Sequence, residues 1–196
     1  MSEYSYGEGW EPVKNFSGVF DGRGYTISNL TINRPTTLNI GLFGEIIGNA
    51  RVSNLNLENV NITGGQYTGA LAGYCSGTVT NVHIQGGNVA GNSGSSTGAI
   101  VGAHGISKIS NCTAKANVSG ISEVGGAIGT LHSGIVSKVS FEGNVTATSV
   151  VGGFIGLARV SKASASVEEC VARASVNGKM NLGGFIGEIA MASNDS

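Results

Sequence analysis

Few residues in this 196-residue chain have the types and spacing that chemistry needs. Gly94-Ser95-Ser96-Thr97-Gly98 fits the Gly-x-Ser-x-Gly pattern of a nucleophile elbow. That pattern works only where a strained strand-to-helix turn lifts the serine toward a His and an Asp. Here it falls in a Gly/Ser-rich stretch ahead of a short apolar run, which predicts a loop. His83, His104 and His132 lack the His-Glu-x-x-His spacing of a metallopeptidase. Cys75 and His104 each lie two residues after a glycine that closes a repeated motif, so stacked repeats would bring them together. Two ligands are too few for zinc, and the expectation is an ordinary turn with no metal. Glu11 and Asp21 are the acidic pair that a glycoside-cleaving enzyme would use, but nothing in the sequence fixes their separation. Asp21 before Gly22 reads as a turn residue. The sequence therefore predicts no catalytic residue, no cofactor and no metal site.

These residues hang on a repeat. The motif Gly125-Gly126-Ala127-Ile128-Gly129 returns as Gly152-Gly153-Phe154-Ile155-Gly156 and Gly183-Gly184-Phe185-Ile186-Gly187. Looser copies are Ile40-Gly41-Leu42-Phe43-Gly44, Gly69-Ala70-Leu71-Ala72-Gly73 and Gly98-Ala99-Ile100-Val101-Gly102. The closing glycines at 44, 73, 102, 129, 156 and 187 are 29, 29, 27, 27 and 31 residues apart. A near-constant period in this range marks a repeat architecture.

Between the glycine motifs a second apolar piece recurs: Ile27-Ser28-Asn29-Leu30, Val52-Ser53-Asn54-Leu55, Val79-Thr80-Asn81-Val82 and Ile109-Ser110-Asn111-Cys112. Val136-Ser137-Lys138-Val139 and Val167-Glu168-Glu169-Cys170 complete that column. A third piece follows at Asn61-Ile62, Asn88-Val89, Asn117-Val118, Asn144-Val145 and Ser175-Val176. Strands this short bury no face alone and must stack on copies of themselves. The reading is an all-β, parallel β-solenoid, right-handed and β-helix-like, of about six coils of 27–31 residues with three short strands per coil. At ~4.8 Å per coil it is roughly 30 Å long. Residues 1–24 read as a leading, capping segment, and 25–196 as one repeat domain whose last coil is incomplete.

Composition agrees with this architecture. The 33 glycines have no Gly-X-Y period, so the chain is not collagen, and the only prolines are Pro12 and Pro35. A body free of proline suits backbone amides committed to sheet ladders. A net charge of −1 with 12% charged residues gives no footprint for nucleic acid. No run of about 18 apolar residues exists, which speaks against insertion in a membrane. Met1–Tyr6 shows no signal-peptide pattern. Cys75, Cys112 and Cys170 have no paired spacing, and Cys112 and Cys170 share a column two coils apart, roughly 9.6 Å. That is too far for a disulfide, so both are expected as small core residues.

The unit Gly-Gly-apolar-apolar-Gly, then Ser-Gly, then apolar-Ser-Asn-Cys, then Gly/Ala-Asn-Val-Ser-Gly resembles the GLUG repeat of bacterial surface proteins. Its best copy is Lys108-Ile109-Ser110-Asn111-Cys112-Thr113-Ala114-Lys115-Ala116-Asn117-Val118-Ser119-Gly120. The stretch Gly9-Trp10-Glu11-Pro12-Val13 and Phe16 to Ile27 is similar to the coil that precedes such repeats. The resemblance covers nearly the whole chain, with departures at Lys138 and Glu169 where Asn is expected. It implies a β-helix-like fold in secreted or cell-surface proteins, including adhesins, parts of immunoglobulin A1 metallopeptidases and phage tail proteins. It carries no catalytic residues. The implied role is non-catalytic adhesion to a host surface protein, a glycan or neighbouring domains of a parent protein. End-to-end or lateral self-association is a further expectation, and a polysaccharide-cleaving β-helix and a passive spacer are the alternatives.

Three structural expectations follow. Leu42, Leu71, Ile100, Ala127, Phe154 and Phe185 form a core column. Asn29, Asn54, Asn81 and Asn111 form one asparagine ladder, and Asn61, Asn88, Asn117 and Asn144 a second. The column next to the core is also apolar: Phe43, Ala72, Val101, Ile128, Ile155 and Ile186. Consecutive residues of a regular strand face opposite sides, so one column would form an outward apolar stripe suited to an interface. A glycine-rich bend would instead turn both columns inward.

Overall fold

The computed structural model describes residues 7–160 and 165–191. Every regular element in it is a strand, and the strands stack in parallel into a β-solenoid of about six coils. Three sheets form its sides. The broadest runs from Val19–Asp21, Thr26–Ser28 and Thr31–Asn33 through Arg51–Gly64, Thr78–Gly91, Lys108–Ser119 and Gly134–Thr146 to Ala165–Glu168 and Val171–Asn177. The second stacks Phe43–Ile46, Ala72–Cys75, Val101–His104, Ile128–Leu131, Ile155–Val160 and Ile186–Met191. The third stacks Ser95–Gly98, Ser122–Gly125, Ser149–Gly152 and Met180–Gly183, and is extended toward the N-terminus by bridges at Thr68 and Ile40.

The strands differ from those expected. The second and third recurring pieces are fused into one strand of 12–14 residues in four successive coils. A strand the repeat reading did not assign, ending on the first glycine of the motif, completes each later coil. The fusion has a simple cause. A left-handed residue bends each long strand near its start without ending it: Asn54, Asn81, Asn111 and Lys138 have φ of 54, 56, 53 and 55°, and further left-handed residues follow in three of these strands, at Asn59, Gly86-Gly87 and Gly143. In the next coil Glu169, φ 51°, takes the same corner between Ala165–Glu168 and Val171–Asn177. Asparagine tolerates this conformation. Lys138 and Glu169 keep the bend after the amides stop, and their side chains approach to 4.0 Å.

A second left-handed column turns the chain two residues before a motif glycine. It holds Asn39, Tyr67, Ser96, Glu123, Val150 and Asn181, with φ between 49 and 72°. Val150 is out of place there, because a β-branched side chain meets the carbonyl that the left-handed conformation brings close. Val150→Asn should stabilise the chain by about 1 kcal/mol. That would raise the melting temperature by roughly 2–4 °C in a chain of this size, readable by calorimetry.

The expected core column is buried. Leu42 is 6% exposed, Leu71, Ile100, Ala127 and Phe154 are 0%, and Phe185 in the last coil is half-buried. The stripe expected as a possible interface is buried too. Phe43 is 3% exposed, Ala72, Val101, Ile128 and Ile155 are 0%, and Ile186 is half-buried. This corrects the outward reading. The chain bends at the residues between the third and second sheets, such as Gly126-Ala127 and Gly153-Phe154, so strict alternation does not hold and both columns face the core.

The two ends differ. Toward the N-terminus Gly9 bridges Ile32 in antiparallel sense, and Trp10 N–H donates to the Thr31 carbonyl at 2.8 Å, covering the free edge of Thr31–Asn33. The last coil leaves Leu182, Ile189 and Met191 at 50, 60 and 75% exposure. The polar stretch Ser193–Ser196 and the start Met1–Tyr6 lie outside the described residues.

Candidate functional site

Each residue singled out for chemistry has a structural occupation. Ser95–Gly98 is a strand followed by a bend and another strand, with no helix of the kind an elbow needs. Ser96 is 1% exposed, and its hydroxyl lies 2.8 Å from Glu123 Oε2 and 2.7 Å from Thr130 Oγ1. His83 is held by Asn81 Oδ1 at 2.8 Å and Thr113 Oγ1 at 2.9 Å. Asp21 Oδ1 accepts the Arg23 N–H and an Asn54 amide N–H, both at 2.9 Å, as a turn residue does. Glu11 pairs with Lys14 at 3.3 Å. All three cysteines are free thiols. Burial pushes Cys112 up to about 11, and Val139 occupies the column between it and Cys170.

Cys75 and His104 are indeed register partners in adjacent coils. Their contact is not that of two metal ligands. The Cys75 thiol donates to the Gly77 carbonyl at 3.3 Å, while His104 Nδ1 lies 3.2 Å from the Cys75 carbonyl. Among the described residues no group of three His, Cys, Asp or Glu side chains is arranged around a common point. Burial pushes the Cys75 thiol up to about 12 and the His104 imidazole down to about 4, so both are neutral at pH 7.

His104 gives a pH prediction with a definite sign. Its folded pKa is near 4 and the ordinary value 6.5, so the unfolded chain binds more protons between those limits. Stability present above pH 6.5 should fall as pH drops toward 4, by about 3 kcal/mol. Leucine already occupies this column one coil on, at Leu131. His104→Leu should flatten the pH 6.5 to 5 part of a urea-melt profile, and an unchanged slope would show that another group governs it.

Asn54 with Asn81, and Asn61, Asn88, Asn117 and Asn144 in turn, stack as expected, with one correction. Asn81 Nδ2 donates to Asn54 Oδ1 at 2.7 Å, Asn117 Nδ2 to Asn88 at 3.1 Å and Asn144 Nδ2 to Asn117 at 2.9 Å. Asn61 is the register partner of Asn88. Asn29 is not in the Asn54 column. It accepts from Asn59 Nδ2 at 2.7 Å, because Thr26–Ser28 pairs with Asn56–Glu58 and so sets Asn29 opposite Asn59, while Asp21 pairs with Ser53 at the Asn54 corner.

Two polar constellations escaped the sequence reading. The first grows from the second left-handed column. Four of its six corner side chains meet one six or seven residues on: Asn39 with Glu45 at 2.5 Å, Tyr67 with Tyr74 as rings 6.4 Å apart, Asn181 with Glu188 at 2.6 Å, and Glu123 with Thr130. In the fourth coil Glu123 takes the Thr130 hydroxyl at 2.8 Å, the Ser96 hydroxyl at 2.8 Å and the Arg159 guanidinium at 3.0 Å. Burial alone would raise the Glu123 carboxyl, but these three donors more than offset it and hold it below the ordinary range. The group is a satisfied charge inside the wall.

The second is concave. A cavity of about 300 Å³ lies between the leading segment and the 34–39 loop. Glu11, Lys14, Arg34 and Glu45 bring charge to it, Asn15, Thr37 and Asn39 bring hydrogen-bonding groups, and Pro12 and Leu38 bring apolar surface. Arg34 pairs with Glu8 at 2.7 Å. The signal that would have found it is irregularity: of the chain's two prolines, Pro12 lines the cavity and Pro35 lies in the 34–39 loop beside it, where the repeat is least regular.

No family model matches the chain, and no solved structure matches it significantly. Two curated proteins match part of it. "Halomucin" of Haloquadratum walsbyi is 38% identical over 86 residues, 44% of this chain and 1% of that protein. A "Putative Gly-rich membrane protein" of Evansella cellulosilytica is 40% identical over 86 residues, 40% of this chain and 10% of its own length. The chain thus spans a small part of either relative. Among the described residues no helix is long and apolar enough to cross a membrane.

Proposed function

We propose that this chain is a non-catalytic β-solenoid module displayed outside the cell, whose work is adhesion to a host surface protein, a glycan or a partner domain. The observation that carries the reading is the fate of its chemistry-bearing side chains. Ser96, His104, Cys75 and Glu123 are packed or bonded into the wall, while Asp21 and Glu11 are spent on a turn and a surface ion pair. What faces solvent is a periodic array of Asn, Ser, Thr and paired charges, such as Lys115 with Glu142 at 2.7 Å. The GLUG-like units and the names of the two relatives support a surface setting.

The test is a paired assay on the purified chain. Saturable binding to a glycan array or to host cells, with no release of sugar from polysaccharides, is expected. Polysaccharide cleavage that disappears on changing Asp21 or Glu11 would overturn the reading. A parent protein that binds its target equally well after this module is deleted would reduce the module to a spacer.

A further inference from the structure

Almost every feature of this molecule repeats from coil to coil, and packing explains it. The cavity between the leading segment and the 34–39 loop does not repeat. In repeat proteins the segments that break the period tend to carry the binding face.

We propose that this cavity is a binding site for a short neutral glycan, one or two sugar rings long; the proposal rests on the adhesion reading and gives it a place. Size sets the first limit. About 300 Å³ is at the small end of ligand sites and holds a monosaccharide with part of a second ring. Charge sets the second. Two carboxylates, Glu11 and Glu45, and two cations, Lys14 and Arg34, line the cavity, so neither an anion nor a cation is favoured by net charge. Chemistry sets the third. Asn39 and Glu45 stand side by side at 2.5 Å, offering the neighbouring amide and carboxylate that vicinal hydroxyls bind, and exposed Leu38 offers apolar surface to a ring face. Asn39 Oδ1 is buried without a hydrogen-bond partner among the described residues. An acceptor left in that state lacks a donor, and a sugar hydroxyl would supply one once a small shift of the Asn39 side chain uncovered it. The walls are also stiffened in advance: Pro12 and Pro35 fix backbone angles, and Ser93 Oγ–H donates to the Pro35 carbonyl at 2.8 Å.

The experiment is ligand-observed NMR on the whole chain. The probes are the methyl glycosides of glucose, galactose, mannose and N-acetylglucosamine, together with cellobiose, maltose and lactose. Glucuronic acid and glucosamine serve as charged controls. A site of this size should give saturable binding near a millimolar to at least one neutral sugar. Asn39→Gly keeps the left-handed corner and removes the amide, and Thr37→Trp fills the mouth from an exposed position. Each should weaken binding roughly tenfold or more. An unchanged thermal melt shows that each variant has folded. No saturable neutral sugar, tighter binding of a charged control, or full affinity in both folded variants overturns the site. Host-cell binding that persists in wild type while no sugar binds sinks the cavity and leaves the adhesion reading standing. Loss of both sugar and cell binding in the same folded variants supports the two together.

Discussion

Phe154→Ala is expected to cost about 3–5 kcal/mol, a large share of the roughly 5–15 kcal/mol that holds a domain together. Phe154 is 0% exposed and lies in the core column between Ala127 and Phe185. Its ring stacks on that of Phe185 with centroids 4.8 Å apart and planes 9° apart. On the other side Ala127 has no bulk to move into the space. The hole would stay open, and the cost should sit high in the range for such truncations. Phe185→Ala is the comparison. Phe185 is half-buried in the last coil, so part of its surface meets water already and the loss should be clearly smaller. Urea melts of the two variants read both values. A Phe154→Ala loss below about 1 kcal/mol would mean that this column is not the core.

The period and the apolar pairs made the solenoid legible. A spacing of 27–31 residues with one motif per period leaves little besides stacked parallel coils. What the pattern hid was direction. Phe43 to Ile186 were open to either face because alternation holds only within a straight strand, and the bend between two sheets resets it. The same weakness misplaced the strands. Val52-Ser53-Asn54-Leu55 and Asn61-Ile62 read as separate pieces, yet left-handed Asn54 and Asn59 only bend one continuous strand. Lys138 and Glu169 read as departures from the repeat where Asn is expected, since propensity says nothing of the packing that imposes φ near 50° on any residue at that corner. Least visible was the cavity. Its walls are about 20 residues apart at their nearest and are joined by the winding of the first coils, which no local pattern reports.

Gly129→Ala should be as damaging as the loss of Phe154, by the opposite route. The closing glycine is the one motif position that is glycine in all six copies: 44, 73, 102, 129, 156 and 187. None of the six has a positive φ, so conformational freedom is not the reason. Space is. A Cβ on Gly129 would stand 2.4 Å from both the Gly102 carbonyl oxygen and the Thr97 nitrogen, and 2.5 Å from the Ser96 carbonyl carbon. Gly73, Gly102 and Gly156 meet the same wall at 2.3–2.5 Å: the left-handed corner of the coil before. Those neighbours are backbone, held in parallel ladders, and they move only by parting two coils. Ordinary overpacking of a core costs about 1–3 kcal/mol; backbone against backbone should exceed that. Gly44 supplies the control within the same chain. In the first coil the leading segment takes another path, and a Cβ there meets the Asn39 carbonyl oxygen at 3.1 Å and Pro12 and Val13 only at 3.7 Å. A shift of a few tenths of an ångström would accommodate it, so Gly44→Ala should stay within about 1 kcal/mol of wild type. Equal stability of the two variants in denaturant melts would show that the closing glycines do not set the approach of one coil to the next. A large loss at Gly129 alone would tie the commonest residue of this sequence to the distance at which its coils stack.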